Sequence, residues 1–189
     1  MRKNQMNTLT PLRMLVFASL MAALIAVGAF LAIPVGPVPI VLQNLFVLLA
    51  GLLLGRRWGA AAVGIYLLAG ACGLPVFVGG SGGLGHLVGP LGGYLMGFLV
   101  AAWVIGFVAE RAKGKLIWEV SAMVTGSLII YAIGVPWLMV MLGFGLHKAL
   151  AVGMYPFLIG DALKIAAAVP IARSVRPLLQ QSPVSVGAA

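Results

Sequence analysis

Long apolar runs dominate the chain, and short polar or glycine-rich stretches separate them. The first run covers residues 14–33 and follows Arg2, Lys3 and Arg13. It is about the length of the twenty-residue helix that a ~30 Å hydrocarbon core requires. A basic leader before an apolar run is also the pattern of a secretory signal, but this run is long for one and others follow it. Further runs cover residues 41–55, 59–72, 93–109, 116–143 and 154–172. Gly134 and Pro136 are expected to interrupt the fifth run, because proline removes a backbone donor and collides with the preceding turn. The pattern predicts an all-α integral membrane protein, a bundle of six transmembrane helices. Residues 1–176 form its single domain. The tail, residues 177–189, lacks apolar periodicity and reads as disordered.

Composition narrows the solvent. Of 189 residues, 62% are hydrophobic and 8% charged, and the mean hydropathy is +1.15. A soluble domain is closer to half apolar and a quarter charged. With so little polar surface, the chain needs lipid around it. Its lone cysteine, Cys72, has no partner for an internal disulfide and reads as a small packing residue.

The net charge of +9 raises the question of nucleic acid, and the placement of the cations answers it. They sit in small groups at the ends of apolar runs instead of on one face of a domain. With the N-terminus in the cytoplasm, Arg2, Lys3, Arg13, Arg56, Arg57, Arg111, Lys113, Lys115, Arg173 and Arg176 all fall on the cytoplasmic side. Lys148 and Lys164 alone lie elsewhere. This is the positive-inside asymmetry, and it predicts an N-in, C-in topology without a nucleic-acid partner.

Three unusual segments then share the outer face. One is "IPVGPVPI", residues 33–40, whose prolines exclude regular helix. Another is the glycine-rich "PVFVGGSGGLGHLVGPLGGYLMGF", residues 75–98. The third is the segment around His147. Such loops are expected to cap a ligand pocket.

The glycine stretch contains a formal GxGxxG at Gly80, Gly82 and Gly85. A dinucleotide site also needs a preceding strand and an acid about twenty residues on, and the next acid, Glu110, is on the opposite side of the membrane. Glycine here offers close backbone approach and free N–H groups around a small ligand, or a re-entrant packing loop; both readings stand.

Asp161 and Lys164 carry the clearest chemistry. They lie three residues apart on one face of the last helix. Asp161 is expected to be the only acid in the apolar part of the chain. Each charge costs about 2.5–3.5 kcal/mol to insert. A buried ion pair seldom stabilises more than apolar packing does. Ligand binding is therefore the better explanation of the pair, with an internal salt bridge as the alternative.

Gln43 and Asn44 open the second run and either face a ligand or bond to a neighbouring helix. His86 and His147 are too far apart and too poor in neighbouring carboxylates for a metal site. Ala18, Ala22 and Ala26, four residues apart on the first helix, form a stripe that lets another helix approach closely. That helix belongs either to this chain or to a partner.

Three motifs in order, "GPVPIVLQNLFVLLAGLLLG" (36–55), "GLPVFVGGSGGLGHLVGPLGGYLMGF" (73–98) and "YPFLIGDALK" (155–164), resemble the BioY family. Its members are the biotin-binding S components of energy-coupling factor (ECF) transporters. The resemblance covers nearly the whole chain. It implies a six-helix subunit of the bacterial cytoplasmic membrane that captures biotin for uptake, is not an enzyme and needs no cofactor. It also implies as partners a transmembrane coupling protein and two cytoplasmic ATPase subunits.

Residue by residue, the family's glycine loop places a polar side chain where this chain has Ser81, some members having asparagine there. Some members carry an arginine where this chain has Leu95, after "GGY". Lys164 is the cation available to replace it. Asp161 matches the acid of the last motif. The family uses an alanine stripe to meet the coupling protein, which gives Ala18, Ala22 and Ala26 that reading.

Biotin has two ureido N–H donors, a carbonyl acceptor and a carboxylate tail. Asp161 suits the ureido nitrogens, while Ser81 or the N–H groups of Gly80, Gly82 and Gly83 suit the carbonyl. Lys164 suits the tail, with Lys148 and His86 behind it. Leu74, Phe77 and Tyr94 suit the apolar body, and Gln43 the pocket wall. The rival readings are an S component for thiamin or riboflavin, a membrane-embedded enzyme, and a purely structural membrane subunit.

Overall fold

The structure is a computed structural model and describes residues 2–33, 37–112 and 114–180. Its long elements are helices: α1 (Arg2–Phe30), α2 (Gln43–Ala71), α4 (Gly92–Ala112), α5 (Leu116–Leu142) and α7 (Tyr155–Gln180). Two short helices, α3 (Leu84–Val88) and α6 (Leu146–Gly153), lie in connections. Five helical segments are long and apolar enough to cross a membrane. Large apolar side chains such as Leu20, Leu24, Val27, Leu128, Val140 and Ile159 face outward, as they do in a protein solvated by lipid.

The proline-rich connection forms a small antiparallel pair, β1 (Ala32–Ile33) with β2 (Ile40–Val41), in register Ala32 with Val41. Leu42 N–H closes it on Leu31 O at 3.1 Å. Residues 34–36 of "IPVGPVPI" lie outside the described residues.

Helix α2 absorbs the second and third apolar runs but is not straight. At Gly55 the backbone has φ 75° and ψ −178°, a region essentially confined to glycine. The chain reverses there. A Cβ added to Gly59 would lie 2.8 Å from Ala50 O and 2.9 Å from Gly51 Cα, although nine residues of straight helix would separate these positions by about 13 Å. Glu110 of α4 fastens the turn. Its Oε1 accepts from the Arg56 N–H at 2.9 Å, and its Oε2 pairs with Arg56 Nε at 3.3 Å. The second arm thus has a carboxylate on an amide that its first turn would leave unpaired.

The core is built around α2, α4 and α5, which bury Leu48, Tyr66, Ile105, Met123, Ile130 and Leu138. Helix α1 packs on α2, and α7 packs on α2, α5 and α6. Three expectations change. Helix α5 runs unbroken past Gly134 and Pro136, because neighbouring helices let a buried helix tolerate proline. Gly134 makes room for a partner: a Cβ there would fall 2.4 Å from the Tyr94 ring. Helix α7 continues past Arg176 to Gln180, while residues 181–189 of the tail lie outside the described residues. Finally, Asp161 is not the only buried acid, since Glu119 of α5 is 1% exposed.

Candidate functional site

A cavity of about 520 Å³, counting its mouth, lies among the first connection, the start of α2, and helices α4, α5 and α7. The enclosed space within it is about 60 Å³, below the usual range for a small-molecule site. Its walls are mostly apolar, with Val38, Leu91, Leu95, Phe98, Ile130 and Phe157 among them. Gln43, Asn44, Tyr94, Tyr131 and Lys164 supply the polar side chains.

Lys164 is nearly buried, and its Nζ lies 3.2 Å from Asp161 Oδ1. The three-residue spacing on α7 places the two charges one turn apart on one face, as expected. The second carboxylate oxygen of Asp161 accepts from the Tyr131 hydroxyl of α5. Asp161 itself does not line the cavity. It stands behind Lys164, with one oxygen on the ammonium and the other on the phenol, so it neutralises and aims the lysine. Such charge-assisted bonds are the strong class.

Gln43 is 1% exposed, and its Nε2 has no hydrogen-bond partner among the described residues. A buried donor without a partner costs roughly 1–3 kcal/mol, and this one borders the cavity. Tyr94 donates its hydroxyl to Gly153 O at 2.9 Å and presents its ring to the cavity.

The glycine loop plays a different part. Ser81 donates its hydroxyl to Val78 O at 2.7 Å, and Phe77 N–H bonds to Ser81 O at 2.9 Å. Gly80 and Gly83 have φ of 71° and 98°, values that disfavour other residues. A Cβ on Gly82 would lie 2.3 Å from Leu74 O. These residues shape a tight turn that sends Val78 into the cavity wall, and none of the four lines it. Phe77 is buried over Gly70 and meets Tyr66 edge-on at 5.5 Å. With His86, whose ring is 5.8 Å from that of Phe77, it borders a neighbouring cavity of about 770 Å³, counting its mouth.

Leu74 is exposed, and Lys148 lies over the Phe144 ring at 4.1 Å on the exposed side of α6. The structure therefore gathers Gln43, Tyr94 and Lys164 round one cavity with Asp161 behind them. Phe77 and His86 lie beside it, and Ser81, Gly80, Gly82 and Gly83 form supporting turn.

The alanine stripe is turned inward. Ala18 is fully covered, Ala22 is 6% exposed and Ala26 is partly buried against the core. Its small side chains serve the packing of α1 on this chain, the first of the two alternatives that the stripe allows. The outward face of α1 carries Leu12, Val16, Leu20, Leu24 and Val27 instead.

Tyr131 and Asn44 complete the polar lining. A tyrosine hydroxyl in the middle of an apolar run is the signal that would have found Tyr131, since such a hydroxyl needs a partner when buried.

The chain matches the model of the BioY family over residues 1–181. A biotin transporter BioY of Thermotoga maritima is 45% identical over 170 residues, covering 88% of this chain and 98% of that protein. A probable biotin transporter BioY of Pyrococcus horikoshii is 44% identical over 158 residues, covering 84% and 93%. The crystal structure of an S-component for biotin from an ECF-type ABC transporter is also similar. It superposes with a TM-score of 0.83 at 33% identity, over 89% of this chain and 93% of that one. With its whole helical body matched in sequence and in shape, this multi-pass membrane chain belongs to the BioY family.

Proposed function

We propose that this protein captures biotin at the outer face of the bacterial cytoplasmic membrane, as the substrate-binding subunit of an ECF-type transporter. The observation that carries the reading is the likeness to a biotin S-component over nearly the full length of both chains. A transmembrane coupling protein and two cytoplasmic ATPases complete the assembly in this reading. The chain itself does no chemistry on its ligand.

In this topology the chain crosses the membrane six times, with both termini in the cytoplasm. The reversal at Gly55 supports six crossings, because each arm of α2 becomes a crossing of its own. The cation groups around Arg13, Arg56, Arg111 and Arg173 then share the cytoplasmic side. The cavity opens beneath the outer connections, and the turn bearing Val78 caps it.

Within the cavity, Lys164 takes an oxygen acceptor of biotin and Gln43 Nε2 supplies a neutral donor. Asp161 and Tyr131 hold the lysine in place, and the ring of Tyr94 and the apolar wall cover the ligand's body. The polar backbone of Gly80, Gly82 and Gly83, with Ser81, shapes the cap.

Calorimetry of the purified protein in detergent tests this. Wild type is expected to bind biotin one to one and to give no heat with thiamin or riboflavin. Lys164→Ala is expected to lose most of the affinity, and the loss for biotin against biotin amide assigns the end that the ammonium meets. Unchanged affinity for both ligands would remove Lys164 from the site.

A further inference from the structure

A second open space lies on the opposite side of Asp161. Between α5 and α7 runs a seam of about 950 Å³, counting its open side, lined by Val120, Val124 and Leu128 of one helix and Ala162, Ala166 and Val169 of the other. Val124, Leu128, Ala162 and Ala166 are exposed along it. Small residues on α7 would ordinarily let two membrane helices meet. Here they border an open seam.

The two ends of the seam differ. Its upper end reaches Tyr131 and Leu158, where the bond from the Tyr131 hydroxyl to Asp161 bridges the two helices. From Val120 to Tyr131 it is about 16 Å deep at 1.5 Å per residue, which is roughly half of a ~30 Å hydrocarbon core. The lower end is cationic. Arg173 follows Val169 by one helical turn on the same face of α7, and its side chain is 46% exposed. Its Nε lies 3.6 Å from Glu119 Oε2, while Arg176 holds Oε1 at 2.6 Å. One carboxylate between two guanidinium groups leaves a positive charge at the mouth of an apolar channel.

We infer that the α5–α7 seam is a binding site for an anionic phospholipid of the inner leaflet, with an acyl chain along Val124, Ala166 and Ala162 and the phosphate at Arg173. This rests on the topology proposed above, which puts Arg173 at the cytoplasmic surface. The depth selects the occupant. A channel that stops halfway accepts a chain from one leaflet, whereas a spanning helix of a partner would need the full thickness. An arginine at the headgroup level selects negative charge. The acyl chain would lie against Asp161 and Tyr131 and keep water from the carboxylate that aims Lys164.

The test uses the full-length protein and native mass spectrometry, with phosphatidylglycerol and phosphatidylcholine of identical acyl chains. Wild type is expected to retain phosphatidylglycerol with a roughly fivefold preference, the size of one arginine's attraction at a membrane surface. Arg173→Gln should abolish the preference while still retaining either lipid. Ala166→Leu, which fills the channel, should cut retention of both. Ser127→Leu, from the facing wall, repeats that test if the first variant misfolds.

Biotin binding by each variant reports folding, and biotin binding by wild type is read separately. Failure of the biotin reading therefore leaves the lipid result standing, and the reverse holds. Equal retention of the two lipids, or a preference that survives both Arg173→Gln and Ala166→Leu, would overturn the site. So would a dimer that Ala166→Leu dissociates, since a second copy would then fill the seam.

Discussion

The molecule contains two buried carboxylates served by cations, and they do different things. Asp161 pairs with Lys164 on its own helix, one turn away, and the lysine turns to a cavity. Glu119 of α5 pairs with Arg173 and Arg176 of α7 and so ties two helices together. The acids are similarly buried, at 4% and 1% exposure. What separates them is where the cation can reach. The Asp161–Lys164 pair lies within one helix and reaches α5 only through the Tyr131 hydroxyl, so a ligand at Lys164 is needed to offset much of its cost. A pair between helices whose arginines stay partly exposed contributes to packing directly.

Asp161→Asn should have the largest effect. It leaves a buried ammonium with a weaker partner, and removing one partner of a buried pair costs about 3–5 kcal/mol. Biotin binding in calorimetry is expected to collapse together with thermal stability in detergent. Full biotin affinity in this variant would return the pair to a purely internal role.

Glu119→Gln is expected to come next and to split the two readouts. The arginines are 46% and 27% exposed at their side chains, so water offsets part of the loss, and stability should fall by about 1–3 kcal/mol. Biotin affinity should hold. A loss of affinity matching that of Asp161→Asn would erase the distinction between the clusters.

Tyr131→Phe sharpens the comparison from within the first cluster. It removes one hydrogen bond to a charged group, worth about 1.5–3 kcal/mol, and keeps the ring. The expected result is weaker biotin binding with the protein still folded by thermal melt.

Glu110→Gln should be the mildest. Its pair with Arg56 is exposed on both sides, and such pairs contribute about 0–1 kcal/mol. The amide oxygen can still cap Arg56 N–H. A large drop in melting temperature would mean that the turn at Gly55 depends on the charge.

Much of this was legible in the sequence, and the reasons are local. The spacing of Asp161 and Lys164 follows from helix geometry alone, and their insertion cost marked them. The break between the second and third apolar runs was legible at Arg56 and Arg57, because charge ends an apolar run. Glu119 was missed because it sits four residues past Lys115, where an acid among cations reads as solvated; its burial depends on arginines some 54 residues further on. Tyr131 was missed for the same kind of reason, its partner being on another helix. The glycine loop looked like a ligand cradle, yet its hydroxyl and several of its amides are used inside the turn. Composition shows that a loop is tight and leaves open what it wraps.

Tyr94 imposes a condition on inheritance. A Cβ on Gly134 would fall 2.4 Å from its ring, and one on Gly153 would fall 2.3 Å from its hydroxyl. Three positions on three helices therefore form a single unit of variation. A descendant that gains a side chain at either glycine must first give up the tyrosine, and with it the ring that walls the cavity and the bond that holds α6 to α4. Drift at those two glycines is thus barred by shape, whatever happens to the charges nearby.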